Sequence, residues 1–395
     1  MRRTLARRLD VQRSAERILT THAGSLPRPA KLVDLFVTLS KGEPVDAGEL
    51  AKQIEAARTD VVRKQKEVGI NIANDGEQAR ESFFTYVQHR LSGFGGQSNR
   101  PLMRDIMLPT FLEYKMPDFS RKSVSLMQAP KAIAEVTHTA IEPLRDECDG
   151  LDRAMRATGG FAEPFMTAAS PGIVCAGMLN EHYTSDDDYV MAVADALRPE
   201  YEYIVSRGYV LQLDCPDLAM ERHVAYADKS LAEFQAYVGR NISAINRAID
   251  GLPSDRIRMH VCWGNYEGPH HLDVPLEDVL PLYYEANVGA LLLPFANPRH
   301  QHEWRALEKY PPPHNWLIIA GVIDTTTNYV EHPQVVADRI ECVAMALGDP
   351  HRVLAGTDCG FGTAAGFGEV ASGVVWEKLR ALRAGADMAT RDLFG

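Results

Sequence analysis

Short apolar runs rich in β-branched residues alternate along the chain with longer amphipathic stretches. The runs predict strands over 18–21, 70–74, 132–136, 165–169, 209–213, 257–262, 290–293, 316–322 and 353–356. Between them, apolar positions at helical spacing predict helices over 47–68, 186–206, 232–250, 276–286, 335–347 and 367–384. Strand-then-helix repetition implies a parallel sheet, and the number of units favours a closed (β/α)8 TIM barrel of the α/β class over an open doubly wound sheet. Nine candidate strands exceed the eight a barrel needs, so one is an extra element or an error. No G-x-G-x-x-G follows the first strand, which argues against a dinucleotide fold. Residues 85–130, with Gly93, Gly95, Gly96 and Pro101, and residues 263–275, rich in Gly, His and Pro, read as elaborated loops. The expected organisation is an N-terminal extension, 1–17, and a single barrel domain, 18–395.

Charge and composition narrow the function classes. The 395 residues carry 42 basic and 53 acidic side chains, a formal charge of −11, with 45% hydrophobic and 24% charged residues. That composition is globular, and the acidic balance argues against nonspecific nucleic-acid binding or attraction to an anionic membrane. No run approaches 18 consecutive apolar residues, so no membrane span is expected. The basic start lacks the apolar core of a secretion signal, and Asp10 and Glu16 interrupt a transit-peptide pattern. Six scattered cysteines without C-x-x-C spacing point to reduced thiols in a cytoplasmic protein.

In a parallel barrel, chemistry gathers where strands end. The expected strand ends read Thr21-His22-Ala23-Gly24-Ser25, Asn74-Asp75-Gly76-Glu77, Asp214-Cys215-Pro216, His260-Val261-Cys262 and Thr357-Asp358-Cys359-Gly360. Metal ligands and carboxylates thus concentrate at one rim, which points to an enzyme. His260 and Cys262, two apart on a strand, share a face. Cys359 ends a later strand that barrel closure brings near. One His and two Cys leave a fourth tetrahedral position open, the pattern of a catalytic zinc. The plain alternative is a buried strand cysteine and an unrelated loop cysteine.

These segments, with Leu211-Gln212-Leu213-Asp214, His260-Val261-Cys262-Trp263-Gly264-Asn265 and Asn297-Pro298-Arg299-His300, resemble in order the catalytic barrel of cobalamin-independent methionine synthases. The likeness is to single-domain relatives in particular, a group that includes epoxyalkane:coenzyme M transferase-like enzymes. The resemblance implies one zinc per chain, held by His260, Cys262 and Cys359, which binds a substrate thiol as thiolate for alkyl or methyl transfer. It implies that Ser25, Glu77 and Asp214 line the thiol pocket, the two carboxylates holding an ammonium group. His22, Trp263, Asn265 and Arg299 are further expected substrate contacts, and His300 joins Glu77 and Asp214 as a candidate catalytic group.

Three departures matter. The family's glutamate zinc ligand is replaced by Pro294, with Glu303 too far along the sequence to substitute. Asp-Glu-Pro becomes Asp214-Cys215-Pro216. The family's proton-donating histidine appears as Thr325 or Thr326. Expelling a tertiary amine requires protonating it, so losing that donor weakens a methyltetrahydrofolate reading; His300, His302, His22 and Tyr266 are substitutes. The family's folate partner domain lies outside the resemblance, so no extended folate docking surface is expected. Trp263, Tyr266 and Phe295 are read as core, with an apolar substrate wall as the alternative. Expected partners are therefore a small-molecule thiol and an alkyl donor, methyltetrahydrofolate or another, with homo-oligomerisation open. Competing readings are thiol addition to an epoxide, where Arg299 or Arg28 would hold an anionic thiol, a noncatalytic metal- or thiol-binding relative, and a metal-free decarboxylase resembling uroporphyrinogen decarboxylase.

Overall fold

The computed structural model describes residues 11–119 and 122–395. Residues 1–10 of the expected N-terminal extension lie outside the described residues. Eight strands form the barrel: β1 (Leu19–Thr20), β2 (Ile72–Ala73), β3 (Glu163–Ala169), β4 (Val210–Asp214), β5 (Ile257–His260), β6 (Ala290–Pro294), β7 (Leu317–Ile323) and β8 (Val353–Thr357). They pair in one sheet in the order β1-β8-β7-β6-β5-β4-β3-β2, every pair parallel. The two ends of that ladder meet through fewer bonds: Asn71 N donates to Thr20 O at 3.0 Å and Thr21 Oγ1 to Ile72 O at 3.0 Å. The result is a nearly closed (β/α)8 barrel, as the alternation of elements predicts.

Alternation along each strand builds two cores. Leu19, Ile72, Phe165, Val210, Leu292 and Ile319 form a cluster drawn from six strands, which fills the barrel interior. Leu211, Leu213, Leu291 and Leu293 point the other way and pack with the surrounding helices. The interior also holds Arg258, whose guanidinium lies 3.8 Å from the Phe165 ring centroid and donates to Gln212 Oε1 (2.8 Å), Thr21 Oγ1 (3.2 Å) and His22 O (3.1 Å). Helix starts follow their caps. Asp46 accepts from Glu49 N at the start of Ala47–Glu67, Ser185 caps Asp186–Ser206, and Ser230 with Glu233 forms a capping box on Leu231–Ala248.

The expected strand at 132–136 is the extra element. Lys131–Ala132 pairs antiparallel with Phe94–Gly95 in a separate two-stranded sheet, and Ile133 is 51% exposed. The stretch 276–286 is a short turn, Leu276–Asp278, followed by a single turn of helix, Leu280–Tyr283. The last helix runs Ser372–Phe394 rather than 367–384. Among the described residues, no helix is long and apolar enough to cross a membrane.

The first elaborated loop lies over the strand ends. Arg100 pairs with Glu221, Arg104 with Asp228 and Lys115 with Glu267. Asp105 Oδ2 accepts from the Tyr266 hydroxyl at 2.5 Å and from His270 N at 3.0 Å. Asp105 is fully buried, so these bonds tie the first elaborated loop to the second.

Candidate metal centre

β5 ends at His260, and the chain continues to Cys262; β8 ends just before Cys359. One ligand atom from each of these three residues lies within 4.8 Å of the others, and all three side chains are buried. The two Sγ atoms are 3.8 Å apart, far beyond the ~2.05 Å of a disulfide, so both are thiols. His260 Nδ1 lies 2.9 Å from Asp214 Oδ1, an arrangement that orients the ring. A carboxylate on the far nitrogen of a histidine, beside two soft sulfurs, fits zinc.

Electrostatics favour thiolate character at Cys262. Burial opposes protonation of His260, but its contacts with Asp214 and Cys262 outweigh that and push it up to about 10. The hydrogen bond from Cys359, reinforced by His260 against burial, holds the Cys262 thiol well below its usual range. Cys359, the donor in that pair, moves up.

Glu77 reaches the same cavity through a strained turn. Its φ is +58°, which is unfavourable for a residue with a side chain, and it follows Gly76 at φ +66°. Asp75 Oδ1 accepts from Glu77 N at 2.9 Å and fixes the turn. Thr167 Oγ1 donates to Glu77 Oε1 at 2.9 Å, while Oε2 is buried with no hydrogen-bond partner. Gly24, at φ +129°, makes room for it: a Cβ there would sit 2.7 Å from Glu77 Oε1. Burial first, then repulsion from Asp214, pushes Glu77 up to about 7. Asp214 accepts from Gln212 Nε2 at 2.7 Å.

Ser25, Glu77, Asp214, His260, Cys262, Asn265 and Cys359 line one cavity of about 610 Å³. Asn265 is fixed by donating to Gly360 O (2.7 Å) and accepting from Thr325 Oγ1 (2.8 Å).

The other expected contacts serve the scaffold. His22 accepts from Gly24 N on Nδ1 and faces Gln65 Oε1 with Nε2, 2.8 Å away; burial holds it down to about 4, so the ring is neutral and lies outside the cavity lining. Trp263 donates to Val274 O at 2.7 Å and is core, as is Phe295, whereas Tyr266 does line the cavity. Arg299 is exposed and donates to His270 O. Arg28 donates to Gly362 O and Glu77 O, which secures the Glu77 turn. His300 has both ring nitrogens taken, by Glu303 Oε2 and Asp273 Oδ2 at 2.8 Å each, and stacks on Trp263. Glu303 is thereby occupied with His300 and Leu276 N. Cys215 is buried outside the cavity lining with Sγ 3.4 Å from Leu213 O. Pro294 ends β6 beside a void of about 20 Å³ that Cys262, Cys359 and Thr325 also line, space for one water.

Residues that sequence reasoning left without a role include Gln212, Thr167 and Arg258, which support Asp214, Glu77 and the barrel interior. A signal was present for two of them. Arg258 precedes His260, and Gln212 precedes Asp214, by two positions on the same strand face. The apolar cavity wall contributed by residues 100–112 and 123–128 had no periodic signal.

No protein-family model matches the chain. It is 24% identical over 377 residues to 2-hydroxypropyl-CoM lyase of Xanthobacter autotrophicus, covering 87% of this chain and 89% of that protein. It is 23% identical over 343 residues to methionine synthase of Saccharolobus solfataricus, covering 86% and 87%. Among solved structures, a B12-independent methionine synthase from a Shewanella species, in complex with selenomethionine, superposes with a TM-score of 0.71 at 21% identity over 95% of this chain and 99% of that one. A putative counterpart from Listeria monocytogenes gives 0.63 at 22%, covering 94% and 98%. Over most of its length the chain is thus similar to methionine synthases and to 2-hydroxypropyl-CoM lyase, and it shares the fold of the B12-independent methionine synthases.

Proposed function

We propose that the protein is a zinc-dependent transferase that activates a substrate thiol for alkyl or methyl transfer. The observation that carries this reading is the convergence of His260, Cys262 and Cys359 on one side of a cavity that Glu77 and Asp214 also line. When bound, zinc would lower the pKa of a coordinated thiol and so supply the nucleophile near neutral pH. Asp214 holds the His260 ring in place through Nδ1. Glu77, with one buried oxygen unpartnered, offers a cationic thiol its ammonium contact.

One observation keeps epoxide opening as a second reading. At the two positions where the resemblance places an acid, the Thr325 hydroxyl donates to Asn265 and the Thr326 hydroxyl to Asp324. A tertiary amine leaving group needs a proton that neither threonine supplies, whereas a strained ring opens with less assistance.

The test is metal analysis of the purified protein, then thiol-consumption assays with methyltetrahydrofolate and with simple epoxides. The expected result is about one zinc per chain and consumption of an amino-acid thiol with one of the two donors. Full metal content in His260→Ala, Cys262→Ser and Cys359→Ser would overturn the reading.

A further inference from the structure

The polar groups occupy only part of the cavity. The rest is walled by Phe83 and Phe84 from the loop after β2, by Leu102, Ile106 and Leu112 from the first elaborated loop, and by Met220 after β4. Leu102 is 45% exposed and Met103 partly exposed, so apolar surface is held open here rather than packed away. A free apolar surface of this kind, in the same cavity as polar chemistry, is the signature of a ligand's apolar body.

Charge points the same way. Among the described residues, the charged side chains that line the cavity besides the ligand histidine are Glu77, Asp214 and Arg100. Arg100 is already paired with Glu221, which is itself buried. Arg28 is spent on backbone carbonyls and Arg299 lies outside the lining. An anionic substrate, whether a sulfonate or a polyglutamate, would meet two buried carboxyl groups and a guanidinium that already has its counter-ion.

We propose that the second substrate, the alkyl donor, is an uncharged molecule with an extended apolar body, which the wall of Phe83, Leu102, Ile106 and Met220 receives. This rests on the functional reading above and adds the donor's chemical class to it. The wall is ordered by the contacts at Asp105 and Glu221 that hold the elaborated loop down. The reaction balances without a further reagent: the sulfur–carbon bond forms, the carbon–leaving-group bond breaks, and the proton the thiol gives up ends on the departing atom.

Calorimetric titration of the zinc-loaded protein with butan-1-ol, hexan-1-ol, octan-1-ol and hexane-1-sulfonate tests the proposal without turnover. Affinity should rise about three- to fourfold per methylene, the value of burying a CH2 group. Hexane-1-sulfonate should bind at least tenfold more weakly than hexan-1-ol. Leu102→Glu and Met103→Glu, at partly exposed positions where a carboxylate leaves the fold intact, should each weaken octan-1-ol at least tenfold. Met107→Glu, on the same loop but outside the cavity lining, should leave it unchanged. Affinity that does not depend on chain length, a sulfonate that binds more tightly than its alcohol, or octanol binding indifferent to both lining variants would overturn the proposal. These titrations read the wall alone, whereas metal content and thiol consumption read the centre, so each idea fails on its own measurement.

Discussion

Glu77 combines three properties that ordinary surface carboxylates lack: a positive φ, a buried oxygen without a partner, and a pKa pushed up to about 7 by burial and Asp214. Strain and desolvation of this kind persist where function needs them. Glu77→Gln keeps the acceptor for Thr167 but removes the charge. Steady-state kinetics with an amino-acid thiol should then show KM about tenfold or more higher, the worth of a charge-assisted hydrogen bond, with kcat changed much less. An unchanged KM would remove Glu77 from substrate binding. Asp214 acts through its neighbour. Asp214→Asn should lower zinc affinity about ten- to a hundredfold in competition with a chromophoric chelator, because the ring loses its orienting carboxylate. The candidate ligands were legible at this scale because two of them sit two apart on one strand and the third ends another. His300 and Trp263 lie away from the Glu77 and Asp214 cavity lining for a physical reason. Residues beside a motif share its loop but not its direction, and both turn toward the buried network around Asp273.

Supporting elements carry a second buried network. Glu147, on the helix Glu142–Thr158, accepts from Arg80 at 2.8 Å and pairs with Arg90, which also reaches Glu200. Arg80 in turn donates to Thr167, the residue that holds Glu77. Burial acts to raise the Glu147 carboxyl, but the two guanidinium groups prevail and hold it at about 2. A carboxyl depressed in the folded state contributes stability above its unfolded pKa of 4.5, and loses it as pH falls from there toward 2. Glu147→Gln should therefore cost ~3–5 kcal/mol at pH 7, since it leaves buried cations short of a partner. Urea unfolding at pH 7 and pH 3 should show the gap from the parent protein narrowing at the lower pH. A gap independent of pH would mean that the ion pair contributes nothing.

The helix that carries Glu147 was not read from the sequence, although Leu144, Cys148 and Leu151 are spaced to bury one face. Its charged residues hide that stripe in a simple apolar count. The barrel strands were legible because a parallel sheet covered on both faces reads as apolar runs. The extra strand at 132–136 failed because a short β-branched run says nothing of its partner. Lys131–Ala132 pairs with Phe94–Gly95 and never joins the barrel.

For the whole molecule, the barrel gathers distant segments at one rim, and residues from 100–112 and 123–128 line the cavity over them. Metal binding at that rim should stabilise the fold by mass action. Treating the zinc-loaded protein with a strong chelator should lower Tm, and adding zinc back should restore it, while Cys359→Ser should respond to neither. A Tm indifferent to chelation would detach the centre from the fold. The most direct test of the central claim is zinc X-ray absorption on the loaded protein, with and without an amino-acid thiol. The account predicts two sulfur ligands at about 2.3 Å and a nitrogen near 2.0–2.1 Å, with the sulfur count rising to three when the thiol is added. A sulfur count that stays at two in saturating thiol, or a metal without cysteine sulfur, would contradict it.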